Sequence, residues 1–398
     1  MNVVESGRTM ISARARNFDF ERGTNLVVEA ATMAAKGRRI ARLDFGEPDF
    51  ATPPHIIEAG ERALRDGYTH YTPPGGLRQV RSAVAEWLGR DRGIEVTPDR
   101  VVVFPGSMSV IFLSFLALLE PNDEVLVPDP GFPIYAALAQ LAGAYVKPYP
   151  LRQGSPSLDP DELRSCITPR TRMLVINSPN NPTGTAATRG DLETIAALAE
   201  EFDLQVLSDE VYWQISYGDH DPPSALEVPG LADRVICADG VSKAYAMCGW
   251  RIGFGVAPRP MVQRLETLML ATGVCAPAFS QMAAITALVD PESKEARRKM
   301  VTEFKRRRDL VVDGLIAHTA VRCDRPQGAF YAFPDFSDLG VDDVEMARRL
   351  LHEHSVCVMP GSVFGEGGRN HLRLSFAAAD EDIRMGLEGI AAMVHSMT

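Results

Sequence analysis

Lysine is scarce in this chain of 398 residues, which carries six lysines against thirty-five arginines. Five of the six lie in charged, glycine-flanked or proline-flanked surroundings that are typical of solvated surface: Lys36, Lys147, Lys294, Lys299 and Lys305. Lys243 differs, because its neighbours in residues 242–251 are small, aromatic and apolar. Such neighbours favour the uncharged amine, which is the form that attacks an aldehyde. The scarcity singles out Lys243 as a candidate Schiff-base residue, with an ordinary buried lysine as the alternative.

An excess of positive charge and a long apolar run are also missing. The net charge is −11 at pH 7, whereas binding a nucleic-acid backbone requires clustered lysine and arginine. The longest apolar stretch, residues 110–119, is about half of the ~20 residues that a spanning helix needs. Residues 1–20 contain no apolar segment of the kind found in secretory signals. We therefore expect neither a nucleic-acid partner nor a membrane partner.

Cysteines at the spacing of a metal or redox motif are absent as well. The six cysteines are scattered, with no C-x-x-C motif and no histidine pair at ligand spacing. This pattern argues against a metal site and is typical of reduced, mostly buried thiols. We therefore expect no metal and a cytoplasmic location.

From residue 100 onward the chain alternates regularly between strand and helix patterns. Short β-branched runs predict strands at 100–104, 124–127, 172–176, 204–207 and 234–238. Strands that alternate with helices predict an α/β fold with a largely parallel sheet and right-handed crossovers. The continuous apolar runs fit strands that are buried on both faces.

Candidate functional groups follow the carboxyl ends of these strands: Ser107, Phe132, Asn181, Asp209 and Lys243. Ligands of open α/β sheets bind at that edge, so we expect the five side chains to share one site. Each has an ordinary alternative role. Asp209 fits a helix N-cap, Asn181 a plain turn and Phe132 a core aromatic.

Two further features suit a phosphate group. Arg251, eight residues after Lys243, offers a planar and permanently charged fork. Ser107 and Met108 open a predicted helix after Gly106, where backbone N–H groups and the positive end of the helix dipole attract anions. The sequence therefore predicts a phosphate site near Lys243.

Six motifs carry a resemblance to a known family: F-G-E-P-D-F (45–50), Y-T-P-P-G-G-L (71–77), N-N-P-T-G (180–184), D-E-V-Y (209–212), S-K-A-Y-A-M-C-G-W-R-I-G (242–253) and R-L-S-F (373–376). In this order and spacing the chain resembles the fold-type I pyridoxal phosphate enzymes of the class I/II aminotransferase family. The resemblance runs from about residue 43 to the end. It implies a large domain whose mostly parallel sheet is sandwiched by helices, plus a smaller α+β domain.

The alternation of strand and helix patterns ends near residue 285. Beyond it, charged helical segments flank strand patterns at 329–333 and 371–376. We expect residues 1–45 to form an N-terminal arm and part of the small domain. Residues 46–284 are expected to form the large domain that binds pyridoxal phosphate, and residues 285–398 the small C-terminal domain.

The resemblance implies catalytic roles for Lys243, Asp209 and Tyr212. Lys243 would form the internal aldimine with pyridoxal 5′-phosphate and shuttle the proton between the substrate α-carbon and the cofactor. Asp209 would keep the pyridine nitrogen protonated, which makes the ring an electron sink. Tyr212 and Asn181 would hydrogen-bond the phenolic oxygen of the cofactor.

The resemblance also implies roles in binding. The phosphate would be held by Ser107, Met108, Ser242 and Arg251, and Phe132 would stack on the pyridine ring. Tyr71 would reach the phosphate of a neighbouring subunit, which implies a homodimer with shared active sites. Arg373 would grip the substrate α-carboxylate beside Gly46 and Asn181.

Two departures from the family pattern stand out. Many relatives carry a hydroxyl residue three positions before the lysine, where this chain has Gly240; Ser242 is a partial substitute. The dicarboxylate-specific branch has an arginine upstream of the loop that matches residues 275–278, and residues 270–273 contain none. The second departure weakens the expectation of an aspartate or glutamate preference.

The predicted function is transfer of an α-amino group between an L-amino acid and a 2-oxo acid by a ping-pong mechanism. A pyridoxal phosphate-dependent C–S β-lyase or an oxidase is the alternative, because fold and cofactor do not determine the reaction type. A transcription regulator with an aminotransferase-like domain is the non-enzymatic alternative. It needs a DNA-binding module, and fewer than fifty residues precede Gly46.

Overall fold

The structure, a computed structural model, describes residues 11, 24–152, 158–319 and 321–397. Its twelve strands in this part of the chain are β1 (Ala41–Arg42), β2 (Val101–Phe104), β3 (Glu124–Asp129), β4 (Tyr145–Pro150), β5 (Thr171–Asn177), β6 (Gln205–Asp209), β7 (Val235–Gly240), β8 (Gly253–Val256), β9 (Tyr331–Ala332), β10 (Val356–Cys357), β11 (Met359–Pro360) and β12 (Leu372–Ser375).

The α-helices described are α1 (Thr24–Ala35), α2 (Pro54–Arg65), α3 (Arg78–Trp87), α4 (Ser107–Leu118), α5 (Ile134–Ala142), α6 (Pro160–Ser165), α7 (Arg189–Glu201), α8 (Arg259–Thr272), α9 (Ala278–Val289), α10 (Pro291–Thr319), α11 (Asp343–His354) and α12 (Asp380–His395). None of the helices in these ranges combines the length and the apolar character that crossing a bilayer requires.

A seven-stranded sheet in the order β2-β8-β7-β6-β5-β3-β4 dominates the fold. Only β8 runs antiparallel to its neighbours β2 and β7, so the sheet is mostly parallel as predicted. Strands β2, β6 and β7 are buried almost throughout. Burial on both faces explains why they read as continuous apolar runs and not as alternating patterns.

Alternate side chains of each strand pack against helices on opposite faces of the sheet. In β3, Val125 and Val127 join a cluster with α4, α5 and α8, whereas Leu126 joins a cluster with α6 and α7 on the other face. This is the two-residue period of a strand with a hydrophobic layer on each side. The resulting three-layer sandwich holds the carboxyl ends of the parallel strands at one common edge.

A second group of elements packs beside that edge. It contains the antiparallel sheet β11-β12-β9, the parallel pair β1-β10 and the helices α10, α11 and α12. Leu26, Ala30 and Leu43 from the start of the described chain share its core with Leu374 and Ile390. The segment from Leu26 to Leu43 therefore packs against the C-terminal elements, beside the carboxyl edge of the large sheet.

The five strands predicted between residues 100 and 238 are confirmed, with their ends shifted by at most two residues. The predicted strand at 329–333 is wrong in extent, because β9 is only Tyr331–Ala332 and Ala329 has φ +56°. A left-handed residue cannot continue a strand. The edge strand β4 contains two prolines and the antiparallel β8 contains two glycines, and neither strand was predicted.

Candidate active site

A cavity of about 820 Å³ opens at the carboxyl edge of the large sheet. It brings together eleven of the twelve predicted site residues: Gly46, Ser107, Met108, Phe132, Asn181, Asp209, Tyr212, Ser242, Lys243, Arg251 and Arg373. The exception is Tyr71, which is 84% exposed to solvent and does not line the cavity. The five side chains that follow strand ends, Ser107, Phe132, Asn181, Asp209 and Lys243, therefore share one site as the strand-edge argument predicts.

Lys243 lies in the turn that follows β7, with its amine inside the cavity. Its Nζ donates a hydrogen bond to the carbonyl oxygen of Gly46 at 2.6 Å and lies 3.9 Å from Sγ of Cys248. A Cβ on Gly46 would overlap the hydroxyl of Tyr331, so only glycine lets this backbone pass so close. The amine has no carboxylate within ion-pair distance among the described residues, which leaves it available to a ligand.

Asp209 is the last residue of β6 and is buried. Its Oδ2 accepts a hydrogen bond from the hydroxyl of Tyr135 at 2.7 Å, and its Oδ1 accepts one from the N–H of Val211 at 3.3 Å. Burial raises the pKa of Asp209 to about 6, against the smaller lowering effects of Tyr135, Val211 and Lys243. The N-cap alternative is wrong, because the next helical turn begins only at Ala225.

Asn177 ties the two neighbouring strand ends together. Its amide donates to the backbone oxygen of Asp209 at 3.1 Å, and its side-chain oxygen accepts from the N–H of Asn181 at 2.8 Å. The plain-turn reading of Asn181 is therefore incomplete, since its side chain also accepts a hydrogen bond from Arg373 at 3.1 Å.

A pair of tyrosines closes one wall of the cavity. The hydroxyls of Tyr212 and Tyr331 lie 2.7 Å apart, and burial raises the pKa of Tyr212 well above its ordinary value. Tyr212 therefore keeps its proton at neutral pH, and its O–H is a hydrogen-bond donor. One of the two donates to the other, which leaves a donor free for a ligand atom.

Arg373 presents a buried guanidinium to the cavity. Its ion lies over the rings of Tyr331 and Phe364, at 4.6 and 4.9 Å from the centroids. Nη1 and Nη2 donate to the oxygens of Asn181 and Asp44, while Nε has no hydrogen-bond partner among the described residues. No carboxylate within the described ranges pairs with it. A buried cation without a counter-ion is suited to binding an anionic group.

The first turn of α4 and Arg251 form a second anion site. Gly106 precedes the helix with φ +81°, and a Cβ there would overlap the guanidinium of Arg251. A Cβ on Gly253 would overlap the backbone nitrogen of Ser107. The two glycines thus allow the guanidinium of Arg251 and strand β8 to lie close to the first turn of α4. The N–H groups of a helix N-terminus beside an arginine form an arrangement that binds phosphate.

The structure gives a physical reason for the departure at Gly240. This residue pairs with Gly253 between β7 and β8. A Cβ on Gly240 would lie 3.0 Å from the carbonyl oxygen of Ile252 and 3.1 Å from Cα of Gly253. A hydroxyl side chain would be crowded at this position, whereas Ser242 lines the cavity and keeps its hydroxyl at the site.

These groups fit a phosphorylated aldehyde with a protonated aromatic nitrogen. The anion site can hold the phosphate, Lys243 can attach the aldehyde, and Asp209 can pair with the ring nitrogen. Phe132, half-buried in the cavity wall and edge-on to Tyr135, supplies an aromatic face.

Sequence reasoning missed three residues of the site: Asn177, Tyr331 and Tyr135. Asn177 opens the loop that also holds Asn181, so its place at a strand end was a usable signal. Tyr331 stands in an aromatic run that resembles ordinary core. Tyr135 lies on α5 with apolar neighbours, and nothing in the sequence distinguishes it from a packing residue.

Comparisons with known proteins agree with this geometry. Residues 38–390 match the family model described as aminotransferase class I and II. The chain is 38% identical to the aspartate/prephenate aminotransferase of Thermus thermophilus over 92% of this chain and 94% of that protein. It is 39% identical to aromatic-amino-acid aminotransferase 2 of Thermococcus litoralis over 88% of this chain and 90% of that protein.

Among solved structures, the aspartate aminotransferase from Thermus thermophilus with maleate superposes with a TM-score of 0.91. It is 35% identical, and the match covers 96% of this chain and 99% of that one. Fold, family model and named relatives thus agree with the predicted transaminase and do not favour the lyase or oxidase alternative. The chain belongs to the aminotransferase class I and II family.

Proposed function

We propose that the protein uses pyridoxal 5′-phosphate, held by the predicted residues, to move an α-amino group between an L-amino acid and a 2-oxo acid. The observation that carries the proposal is one cavity that contains a lysine amine, a buried carboxylate and two separate anion sites. When bound, the cofactor supplies an aldehyde for the amino group and a ring that withdraws electrons from the substrate α-carbon.

The residues of the chain divide the remaining work. Lys243 Nζ attaches the cofactor and then takes the proton from the substrate α-carbon. Asp209, fixed by Tyr135 and Val211, holds a proton on the ring nitrogen. Tyr212 and Asn181 each donate a hydrogen bond to the phenolic oxygen of the cofactor. Ser107, Met108, Ser242 and Arg251 retain the phosphate, and Phe132 covers the ring.

Arg373 and Gly46 orient the substrate. Hydrogen bonds to Asn181 and Asp44 already fix the orientation of the Arg373 guanidinium. The side chain therefore loses little conformational entropy when it binds a carboxylate through two hydrogen bonds. The carbonyl oxygen of Gly46 accepts from Lys243 and keeps the amine near the substrate α-carbon.

We also propose that large apolar or aromatic side chains are better substrates than acidic ones. The cations among the described lining residues are Lys243, Arg251 and Arg373, and each has a task towards cofactor or α-carboxylate. The rest of the wall is rich in apolar groups, with Met108, Met359, Val363 and Phe364 among them. One relative is named for aromatic amino acids and another for aspartate and prephenate, so the names of relatives do not distinguish the two preferences. The proposed preference therefore rests on the apolar side chains of the cavity wall.

The assembly and location are proposals of the same kind. A homodimer with Tyr71 reaching the neighbouring site accounts for a large exposed aromatic in a loop of two prolines and two glycines. The cytoplasmic location and the division at residues 45 and 284 stay predictions. All six cysteines are free thiols, which suits a reducing compartment.

The reaction type is tested by half-reactions. Purified enzyme with bound cofactor is mixed with one amino acid, and the visible absorbance is followed. We expect loss of the aldehyde form, recovery on adding a 2-oxo acid, and neither step with Lys243→Ala. Release of ammonia or thiol without recovery would identify a lyase and refute the proposal.

The substrate preference is tested by kcat/KM for phenylalanine, leucine and aspartate at a common 2-oxoglutarate concentration. We expect phenylalanine and leucine to exceed aspartate by at least about tenfold, since an unpaired buried carboxylate is costly. Preference for aspartate would refute the side-chain proposal and leave amino transfer intact.

A further inference from the structure

A buried arginine lies behind the cavity and outside its lining. Arg92 ends a single π-helical turn, Leu88–Arg92, that continues α3. Such turns are rare and are concentrated at functional sites. The side chain of Arg92 is 0% exposed and ion-pairs with two buried carboxylates. Nη1 donates to Glu210 Oε2 at 2.7 Å, and Nη2 donates to Asp239 Oδ2.

The two carboxylates belong to the strands that carry the reacting groups. Glu210 directly follows Asp209 at the end of β6, and Asp239 lies in β7, four positions before Lys243. Adjacent side chains of an extended chain point to opposite faces, so Asp209 faces the cavity while Glu210 faces Arg92. Arg92 therefore joins the ends of β6 and β7 from behind the site.

Every oxygen of the two carboxylates has a donor. Glu210 accepts from Ser208 at 2.9 Å, Ser224 at 2.8 Å and the N–H of Ala225 at 3.0 Å as well as from Arg92. The second oxygen of Asp239 accepts from the N–H of Gly240 at 2.6 Å. With all acceptors engaged, the positions of both strand ends are strongly determined.

Two tryptophans hold the guanidinium from the remaining sides. Its carbon lies 3.9 Å from the ring centroid of Trp213 and 4.8 Å from that of Trp87. The planar ion is thus restrained by stacking as well as by hydrogen bonds. A lysine at this position keeps the charge but cannot reproduce the fork or the stacking.

The charge balance behind the site depends on Arg92. Burial raises the pKa of Asp239 to about 7 and that of Asp209 to about 6. The negative charge of Glu210 raises both pKa values further, and that of Asp209 also raises the pKa of Asp239. Arg92 opposes this for Asp239. Without the guanidinium, Glu210 and Asp239 lose their shared counter-ion, and the strand ends lose the contact that joins them.

We propose that Arg92 is a positioning residue for amino transfer, which holds Asp209 and Lys243 at the spacing that proton movement requires. The proposal rests on the proposed roles of those two residues. It does not make Arg92 a catalytic residue, because Arg92 reaches the site only through Glu210 and Asp239.

The test compares Arg92→Lys, Arg92→Met and Asp239→Asn with the wild-type holoenzyme. Arg90→Met is the matched control, because Arg90 lies on the same π-turn but donates to the backbone of Leu288 and Val289 in α9. Single-turnover rates with saturating phenylalanine report the half-reaction. Amide hydrogen exchange of the apoprotein at residues 208–212 and 238–243 reports the strand ends without the cofactor.

We expect the half-reaction of Arg92→Lys and Asp239→Asn to fall about 10- to 100-fold, since small misplacements of reacting groups have effects of this size. KM should change less than about threefold, and the two exchange segments should open while the rest of the sheet stays protected. Arg90→Met should lower the melting temperature with a rate within about twofold of wild type.

Asp239→Asn keeps the shape of the side chain, so it carries the test if Arg92→Met does not fold. The proposal is overturned if Arg92→Lys and Asp239→Asn change only the melting temperature, with rates and exchange like those of Arg90→Met. The proposed function is judged separately, from the half-reaction of the wild-type enzyme with several amino acids.

Discussion

Two residues of the site, Asp209 and Arg373, carry buried charge without an ion-pair partner among the residues that the structure describes. Asp209 is a buried carboxylate held by a tyrosine and a backbone N–H, and Arg373 is a buried guanidinium held by neutral oxygens. Both arrangements are unfavourable in the empty protein, because charge is removed from water without an opposite partner. A positively charged ring nitrogen and a substrate carboxylate would supply the missing partners.

This reasoning predicts that Asp209→Asn stabilises the apoprotein. Burial raises the pKa of Asp209 from 3.8 to about 6, so between about pH 4 and pH 6 the folded state binds more protons than the unfolded state. Stability therefore falls as pH rises through this window, by up to about 3 kcal/mol for one group. Asparagine has no charge to bury and avoids that loss.

Urea unfolding of the two apoproteins checks the prediction. Asp209→Asn should be more stable than wild type at pH 7, and the difference should vanish towards pH 4. Equal stability at pH 7 would mean that Asp209 is not destabilising in the empty site. The same variant should lose amino transfer, because its amide cannot hold the ring nitrogen protonated.

Arg373→Lys should impair every substrate to a similar extent. Lysine keeps the charge but loses the planar fork that Asn181 and Asp44 preset, and with it one charged hydrogen bond of about 1.5–3 kcal/mol. We expect kcat/KM to fall roughly ten- to hundredfold for phenylalanine, leucine and aspartate alike, with cofactor affinity retained. A loss confined to aspartate would show that Arg373 reads the side chain and not the α-carboxylate.

At the scale of elements, the anion site depends on how closely β8 approaches the start of α4. Gly253 in β8 faces Ser107 so closely that any Cβ would overlap the backbone nitrogen. The antiparallel strand β8 is also the element that places Arg251, which precedes it in a left-handed turn with φ +56°. Strand and helix form the phosphate site only as a pair.

Gly253→Ala should therefore weaken cofactor binding. Overpacking of this kind costs about 1–3 kcal/mol and would move β8 away from the helix N-terminus. We expect the Kd for pyridoxal phosphate to rise at least about tenfold. Gly249→Ala is the control, since no atom in the described part of the chain lies within 4 Å of a Cβ at that position, and it should bind nearly as wild type. Equal affinities for both variants would show that the close approach is dispensable.

At the scale of the whole molecule, one predicted site residue stands apart from the cavity. Tyr71 follows α2 in a proline- and glycine-rich loop and is 84% exposed. The proposed homodimer would give this exposed aromatic a partner surface. A second copy of the chain would bury it and bring its hydroxyl to the neighbouring phosphate site.

Mixing two inactive homodimers tests the shared site. Subunits with Tyr71→Ala retain Lys243, and subunits with Lys243→Ala retain Tyr71, so each mixed dimer has one intact site. Random exchange should restore about a quarter of wild-type activity per subunit. Proven heterodimers without recovery would refute the shared site, provided that Tyr71→Ala alone is severely impaired.

The family resemblance supplied Gly46, Tyr212 and Arg373. The sequence pattern by itself determined the α/β class and the meeting of Ser107, Phe132, Asn181, Asp209 and Lys243 at one edge of the sheet. These inferences succeeded because they depend on local information. Burial on both faces of a strand requires a continuous apolar run, and polar groups that follow parallel strands must meet at one edge.

Only the tertiary structure decided what lies between these segments. The roles of Tyr135, Tyr331 and the Arg92 cluster depend on contacts between elements separated by 74 to 147 positions. A buried tyrosine or arginine has the same local pattern whether it packs in a core or supports a reacting group. The partner of such a side chain depends on how distant elements pack in three dimensions. The spacing of residues that are neighbours in sequence does not determine that packing.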